Sequence, residues 1–219
     1  YHARLNVGKN SGEGKTEGYY VLFDGNAAKD WKAHFTYDGP AGGSNKVGAD
    51  IAALLDYIPD SFKSTERAWL FSDEVPTEGD KAETVNVTWG PAYANSLLEY
   101  DADEGVYYRY MLEDPSSPTE YVDLKTGNPV TFSNVLVQFV DMDYPLGVGE
   151  APKPTVLGTG NADYFIGGKH ISGVWQREEM EERTVFYGAD GNEITLRPGR
   201  TLIIVMDGKT GNRRSVSYQ

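Results

Sequence analysis

Residues 162–206, ADYFIGGKHISGVWQREEMEERTVFYGADGNEITLRPGRTLIIVMD, leave the chain few choices of fold. They read as four strands joined by tight turns. Ala162 to Ile166 runs into Gly167-Gly168, a pair that supplies the positive φ angles of a two-residue hairpin loop. Period-two alternation then puts Ile171, Gly173 and Trp175 on one face of the next strand. Arg183 to Tyr187 follows, closed by the turn cluster Gly188-Ala189-Asp190-Gly191-Asn192. Leu202 to Met206 is an unbroken apolar run, short enough for a strand buried on both faces. That run is the expected middle of the sheet, with Ile203 and Ile204 both buried.

The rest of the chain repeats this idiom. Tyr19 to Phe23, Ser64 to Ser72, Thr84 to Trp89 and Val135 to Val140 read as strands. Ser96 to Tyr100 pairs with Val106 to Met111 through the turn Asp101 to Gly105. Twenty-five Gly and 11 Pro in 219 residues agree with many turns, and 15 Tyr suit half-buried strands. The exception is residues 44–58, SNKVGADIAALLDYI. Val47, Ile51, Leu54, Leu55 and Ile58 make an apolar stripe at helical spacing, Ser44 or Asn45 can cap it, and Pro59 ends it. The expected class is therefore α+β, mainly antiparallel sheets with few helices packed on one face. A change of character near Trp89-Gly90-Pro91 suggests two lobes, an N-terminal α/β lobe over residues 1–90 and a β-rich lobe over 91–219.

Charge and composition exclude several functions. The formal net charge is −13, a field that repels phosphate backbones and anionic membrane surfaces, so no nucleic-acid partner is expected. Arg213-Arg214 is too small a basic patch to reverse this. There is no cysteine, and His2, His34 and His170 are scattered, so no metal site or other cofactor is implied. Gly14-Lys15-Thr16 imitates a phosphate loop, but Lys9 stands where the first glycine is required, and a strand rather than a helix follows. Asp101, Asp103 and Glu104 imitate a calcium loop, but Gly105 arrives one position early.

What remains is a short set of candidate binding residues. His34 is flanked by Trp31, Lys32, Phe35 and Tyr37. Asp141 and Asp143 share a strand face at the end of a buried run and can put two carboxylates at a cleft edge. Trp175 and Tyr187 make an aromatic platform for a sugar ring or peptide if they lie across adjacent strands. Arg197, in Arg197-Pro198-Gly199-Arg200, can hold an anion. His170, beside a hairpin turn, reads as an exposed structural histidine.

Four pieces recur in a familiar order: LEYDADEGVYYRY (98–110), DLKTGNPVTFSNVLVQFVDMDY (123–144), GTGNADYFIGGKHISGVWQR (158–177) and TVFYGADGNEITLRPGRTLIIV (184–205). Over residues 90–206 the chain thereby resembles the YerB-like lipoproteins of Gram-positive bacteria, a family of unknown function. The resemblance implies an exported protein on the extracellular side of the bacterial membrane, often lipid-anchored, with mixed α+β architecture. The chain begins at Tyr1 and has no anchor cysteine, so an anchor is expected upstream as the only membrane attachment. The expected function is non-catalytic binding of an envelope protein or a wall-derived ligand. The alternative is an acid-base hydrolase of envelope glycans or peptides, using Asp141 or Asp143 with His34.

Overall fold

The computed structural model describes residues 2–6, 20–24, 33–36, 48–57, 68–88, 95–144, 153–180, 182–209 and 215–219. Gly14-Lys15-Thr16, Trp89-Gly90-Pro91 and Arg213-Arg214 lie outside them, as do residues 44–47 and 58 of the expected helix. The chain forms two compact units, residues 1–67 with 180–182, and residues 68–179 with 183–219.

In the first unit β1 (His2–Asn6) pairs antiparallel with β2 (Tyr20–Asp24), and β3 (Phe35–Thr36) with β4 (Gly48–Ala49). Helix α1 covers only Ile51–Leu55. Its cap is Asp50, whose carboxylate accepts from the Ala53 N–H at 3.1 Å. Gly48 and Ala49 are drawn into a strand instead, and a glycine inside a helix would cost about 1 kcal/mol relative to alanine. Of the expected stripe, Leu54 is fully buried, while Ile51 and Leu55 are exposed.

The second unit carries the remaining strands. The first group is β5 (Asp80–Lys81), β6 (Thr84–Thr88), β7 (Ser96–Asp101), β8 (Val106–Met111), β9 (Thr119–Glu120) and β10 (Thr131–Phe132). Then come β11 (Asn134–Val140), β12 (Met142–Asp143), β13 (Lys153–Pro154) and β14 (Gly158–Ile166). The last are β15 (Lys169–Arg177), β16 (Val185–Gly188), β17 (Thr201–Asp207) and β18 (Ser215–Tyr218). One sheet has the order β10-β8-β7-β6-β18, and the other β16-β15-β14-β11-β17. All pairs are antiparallel except β11 with β17. The α+β expectation is thus wrong. Among the described residues the architecture is nearly all β, and one five-residue helix is too short to cover a sheet face.

Two cores explain why these strands assemble. Val85 and Val87, Leu98, Tyr107 and Phe132 of the first sheet meet Val135, Val137, Phe165, Ile204 and Met206 of the second, making a β-sandwich. The opposite face of the second sheet buries Leu136, Val140, Ala162, Tyr164, Ile166, Trp175 and Phe186. Strand β11, NVLVQFV, feeds both cores by simple alternation. Each fully buried aliphatic side chain contributes about 1.5–3 kcal/mol, so this strand dominates the balance.

The strand buried on both sides is therefore β11, between β14 and β17, and β17 takes its outer side. Among the described residues β17 pairs with β11 alone. Ile204 is 3% exposed, but Ile203 is 38% exposed, contrary to the sequence expectation. An apolar run records only that a strand is half-buried or more; whether a further strand covers its far side is decided by the topology. The β14–β15 hairpin does form as expected, with φ of 62° at Gly167 and 73° at Gly168.

Candidate functional site

The site grows out of the long connection between β11 and β14. These strands pair up to Gln138 opposite Ala162, and there the ladder stops. β14 continues to Gly158, held by β15 on its other side. The two arms rejoin where the Thr155 N–H donates to the Asp141 carbonyl at 2.8 Å and Met142 pairs with Pro154. Phe139 and Val140 on one arm thus face residues 156–161 on the other. The excess length opens a cleft of about 690 Å³, lined by Phe139, Asp141, Thr159, Asn161, Asp163, Ser172 and the glycines of β14 and β15.

Trp175 keeps this irregularity in place. Its indole N–H donates to the Phe139 carbonyl at 2.7 Å, and its own carbonyl accepts from Thr159 Oγ1 at 2.7 Å. The indole can cross β14 because Gly160 lies opposite Trp175 and has no side chain. A Cβ on Gly160 would stand 2.6 Å from both the Phe139 carbonyl oxygen and Trp175 Nε1. Gly173 does a similar service for Tyr164, whose ring would lie 2.7 Å from a Cβ there. The Tyr164 hydroxyl then reaches the carbonyls of Val174 and Tyr187 at 2.9 and 3.0 Å.

The cleft is polar and acidic. Asp141 and Asp163 are its charged residues, and no Lys or Arg is among its described lining. Lys209 Nζ lies 3.9 Å from Asp141 Oδ1, but both side chains are mostly exposed, which leaves the pair weak. At the other end Asp163 Oδ1 is 2.8 Å from His170 Nε2. The His170 ring stacks on Tyr218 with centroids 4.1 Å apart, and the Tyr218 hydroxyl lies 3.4 Å from Asp80 Oδ2. His170 is 7% exposed, not the exposed turn residue expected. The strand register brings it against Phe165, and hairpin proximity alone could not reveal that. A second cleft, lined by Val174, Gln176 and Tyr187, adjoins the first through Ser172 and Gly173.

The sequence-derived candidates divide sharply. Asp141 lines the cleft, and Asp143 is exposed on β12 opposite Lys153. Trp175 is 2% exposed and belongs to the core, so it offers no stacking face. Register places Phe186 opposite Trp175 and Val174 opposite Tyr187, so Trp175 and Tyr187 project from opposite faces and form no platform. Arg197 is a structural tie: Nη1 donates to the Gly105 carbonyl at 3.0 Å, and its backbone N–H donates to Asn134 Oδ1 at 2.8 Å. His34 belongs to the first unit, half-buried, with Nε2 3.2 Å from the Tyr57 hydroxyl. Trp31, Lys32 and Tyr37 beside it lie outside the described residues. Among the described residues no group of His, Asp and Glu is placed to hold a metal ion. Asn161, Asp163 and Ser172 were missed because strand residues reveal a cleft only after register joins them.

Comparison with known proteins gives this architecture its place. Residues 85–203 match the family described as protein of unknown function (DUF3048), C-terminal domain. The chain belongs to that family. The crystal structure of the YerB protein from Bacillus subtilis is similar to it, with a TM-score of 0.59 at 19% sequence identity. The match covers 84% of this chain and 59% of that one, so the chain spans less than two thirds of YerB. At this identity the likeness establishes the fold. No curated protein matches. The family region contains the strands that build the cleft, from β11 through β15, together with the Asp163–His170 pair.

Proposed function

We propose that this is an exported cell-envelope protein with a non-catalytic binding role, and that the cleft where β11 and β14 part receives the ligand. The observation that carries the reading is the interrupted β11–β14 ladder, which is held open by Trp175 over Gly160 and presents polar side chains in a volume of about 690 Å³. A concave, polar, pre-formed surface on a rigid sheet is what ligand recognition needs. The placement on the extracellular side of the membrane, with a lipid anchor as its attachment, is carried over from the resemblance of residues 90–206 to the YerB-like lipoproteins. Nothing in the geometry favours the hydrolase reading. Asp141 borders the cleft, Asp143 is exposed on β12, and no histidine is among the described lining of the cleft.

The test is a comparison of the wild type with Ser172→Arg, an exposed position that fills both adjoining clefts without touching the core. Purified wall fragments and envelope proteins are presented separately to the two immobilised proteins. A component retained by the wild type and lost with the variant is the expected result. Equal retention would refute the cleft as the binding surface. Release of reducing ends or free peptides from wall material would refute the non-catalytic reading.

A further inference from the structure

The face of the second sheet that packs on the first runs on into solvent. Val137 and Phe165 lie in the core between the sheets, and alternation puts Phe139, Asn161 and Asp163 on that same face. The registers of β14, β15 and β16 carry the face outward, with Asn161 opposite Val174 and Val174 opposite Tyr187. Beside that row Thr159 stands opposite Gln176, and Asp163 opposite Ser172. Thr159, Asn161, Ser172 and Val174 are exposed, while Phe139 and Tyr187 are half-buried. The two clefts that meet at Ser172 and Gly173 are therefore parts of one strip crossing β11, β14, β15 and β16. Three spacings of about 4.8 Å make the strip roughly 14 Å long, with Phe139 at one end and Tyr187 at the other.

Its chemistry narrows what can lie there. The Asn161 carboxamide and the Ser172 hydroxyl make no hydrogen bond among the described residues, so both can donate and accept. Thr159 Oγ1 donates to the Trp175 carbonyl at 2.7 Å, and Gln176 Nε2 to Glu178 Oε1 at 2.8 Å, so each keeps an oxygen free to accept. An anion offers acceptors alone, and no Lys or Arg is among the described lining of either cleft. A cation would need the carboxylates, but Asp163 is engaged by His170, and Asp141 stands at the rim near Lys209, its side chain 75% exposed. An extended peptide finds no row of free main-chain groups, because β15 is paired on both sides from Gly173 to Gln176. A chain of sugar rings meets all these conditions. Its hydroxyls both donate and accept, and its C–H faces pack on the apolar surfaces of Tyr187, Val174 and Phe139.

We propose that this strip binds a neutral oligosaccharide laid across the strands, one ring against Tyr187 and the chain running over Val174 and Asn161 toward Phe139. The inference rests on the cleft being the binding surface and adds the class of ligand that it takes. Asn161, at the centre of the row, and Ser172 and Gln176 beside it bond the hydroxyls along the edges of the chain. Because the strip spans both clefts, a short saccharide fills one of them and a longer one fills both. Affinity therefore rises with chain length. It changes little with salt, since no ion pair is made.

Calorimetric titration of the purified chain with dimers and hexamers of N-acetylglucosamine and of glucose, at low and moderate salt, reads these features directly. At least one hexamer is expected to bind, at least about tenfold tighter than its dimer. Tyr187→Ala weakens that hexamer at least about tenfold, and Ser172→Arg abolishes its binding. A spectrum of the wild type supplies a readout that needs no variant: the side-chain amide signals of Asn161 and Gln176 shift as the hexamer is added. If neither hexamer binds while Ser172→Arg still releases a wall fragment or envelope protein, the oligosaccharide is overturned and the binding role of the cleft stands. If Ser172→Arg changes no retention, the binding role itself falls, and this inference with it. A de-N-acetylated, cationic hexamer that binds more tightly than the neutral ones and is released by salt would make this a cation site and overturn the proposal. A hexamer that binds without moving the Asn161 and Gln176 signals binds elsewhere, which overturns it too.

Discussion

Exchanging neighbouring isoleucines on β17 separates the two faces of one strand. Ile204 is 3% exposed and lies in the core between the sheets, while Ile203 is 38% exposed on the other face. Ile204→Ala removes three buried carbons, about 2.4 kcal/mol of transfer free energy at ~0.8 kcal/mol per group. The cavity left among Val135, Val137 and Phe165 adds to this, for a total of about 3–5 kcal/mol. Ile203→Ala loses only the buried part of the same side chain and leaves no closed cavity, so about 1–1.5 kcal/mol is expected. Lysine widens the contrast. Ile204→Lys buries an unpaired charge and costs more than the alanine variant, whereas Ile203→Lys extends its ammonium into water at a cost of about 1 kcal/mol or less. Guanidinium titrations of all four variants measure these differences. Equal losses for the two lysine variants would refute the assignment of faces, and with it the placement of β17 at the side of β11.

Two further outcomes follow from the interior of the second unit. Gly160→Ala forces the Trp175 indole off the Phe139 carbonyl, so an altered near-ultraviolet tryptophan signal and a loss of about 2–4 kcal/mol are expected; an unchanged signal would contradict the indole's role in the cleft. Burial pushes the Tyr107 and Tyr164 hydroxyls well above the usual tyrosine range. Above about pH 10 the unfolded chain releases protons that the folded chain keeps, so stability falls as pH rises, by about 1.4 kcal/mol per pH unit for each tyrosine. Tyr164→Phe should remove one such share of the alkaline slope, and a slope unchanged by the substitution would count against it.

Local features of the β-rich unit were legible in the sequence because their causes are local. Gly167-Gly168 specifies a hairpin by backbone sterics alone, and VLVQFV alternates into two cores wherever the strand is placed. Within the helix expected over residues 44–58, only Ile51–Leu55 is helical among the described residues, for a reason of the same scale: Asp50 caps a short helix at Ala53, and Gly48 and Ala49 join a strand. Asp141 was legible as a candidate because a carboxylate after a buried run tends to stand at a strand end. Its neighbours in the cleft were not. Asp163, Ser172 and Asn161 come together only through the register of β14 on β15, and a shift of one residue would turn each to the other face. Trp175 and Tyr187 failed as a platform for the same reason, since alternation is a property of one strand and opposition a property of two. Sequence alone determined that the 85–203 region is built of strands and turns, through propensity and periodicity that each segment carries within itself. Tertiary structure decided that β11 lies inside and β17 outside, that Trp175 is core, and that an interrupted ladder makes a cleft, because pairing is a contest among segments for the same hydrogen bonds.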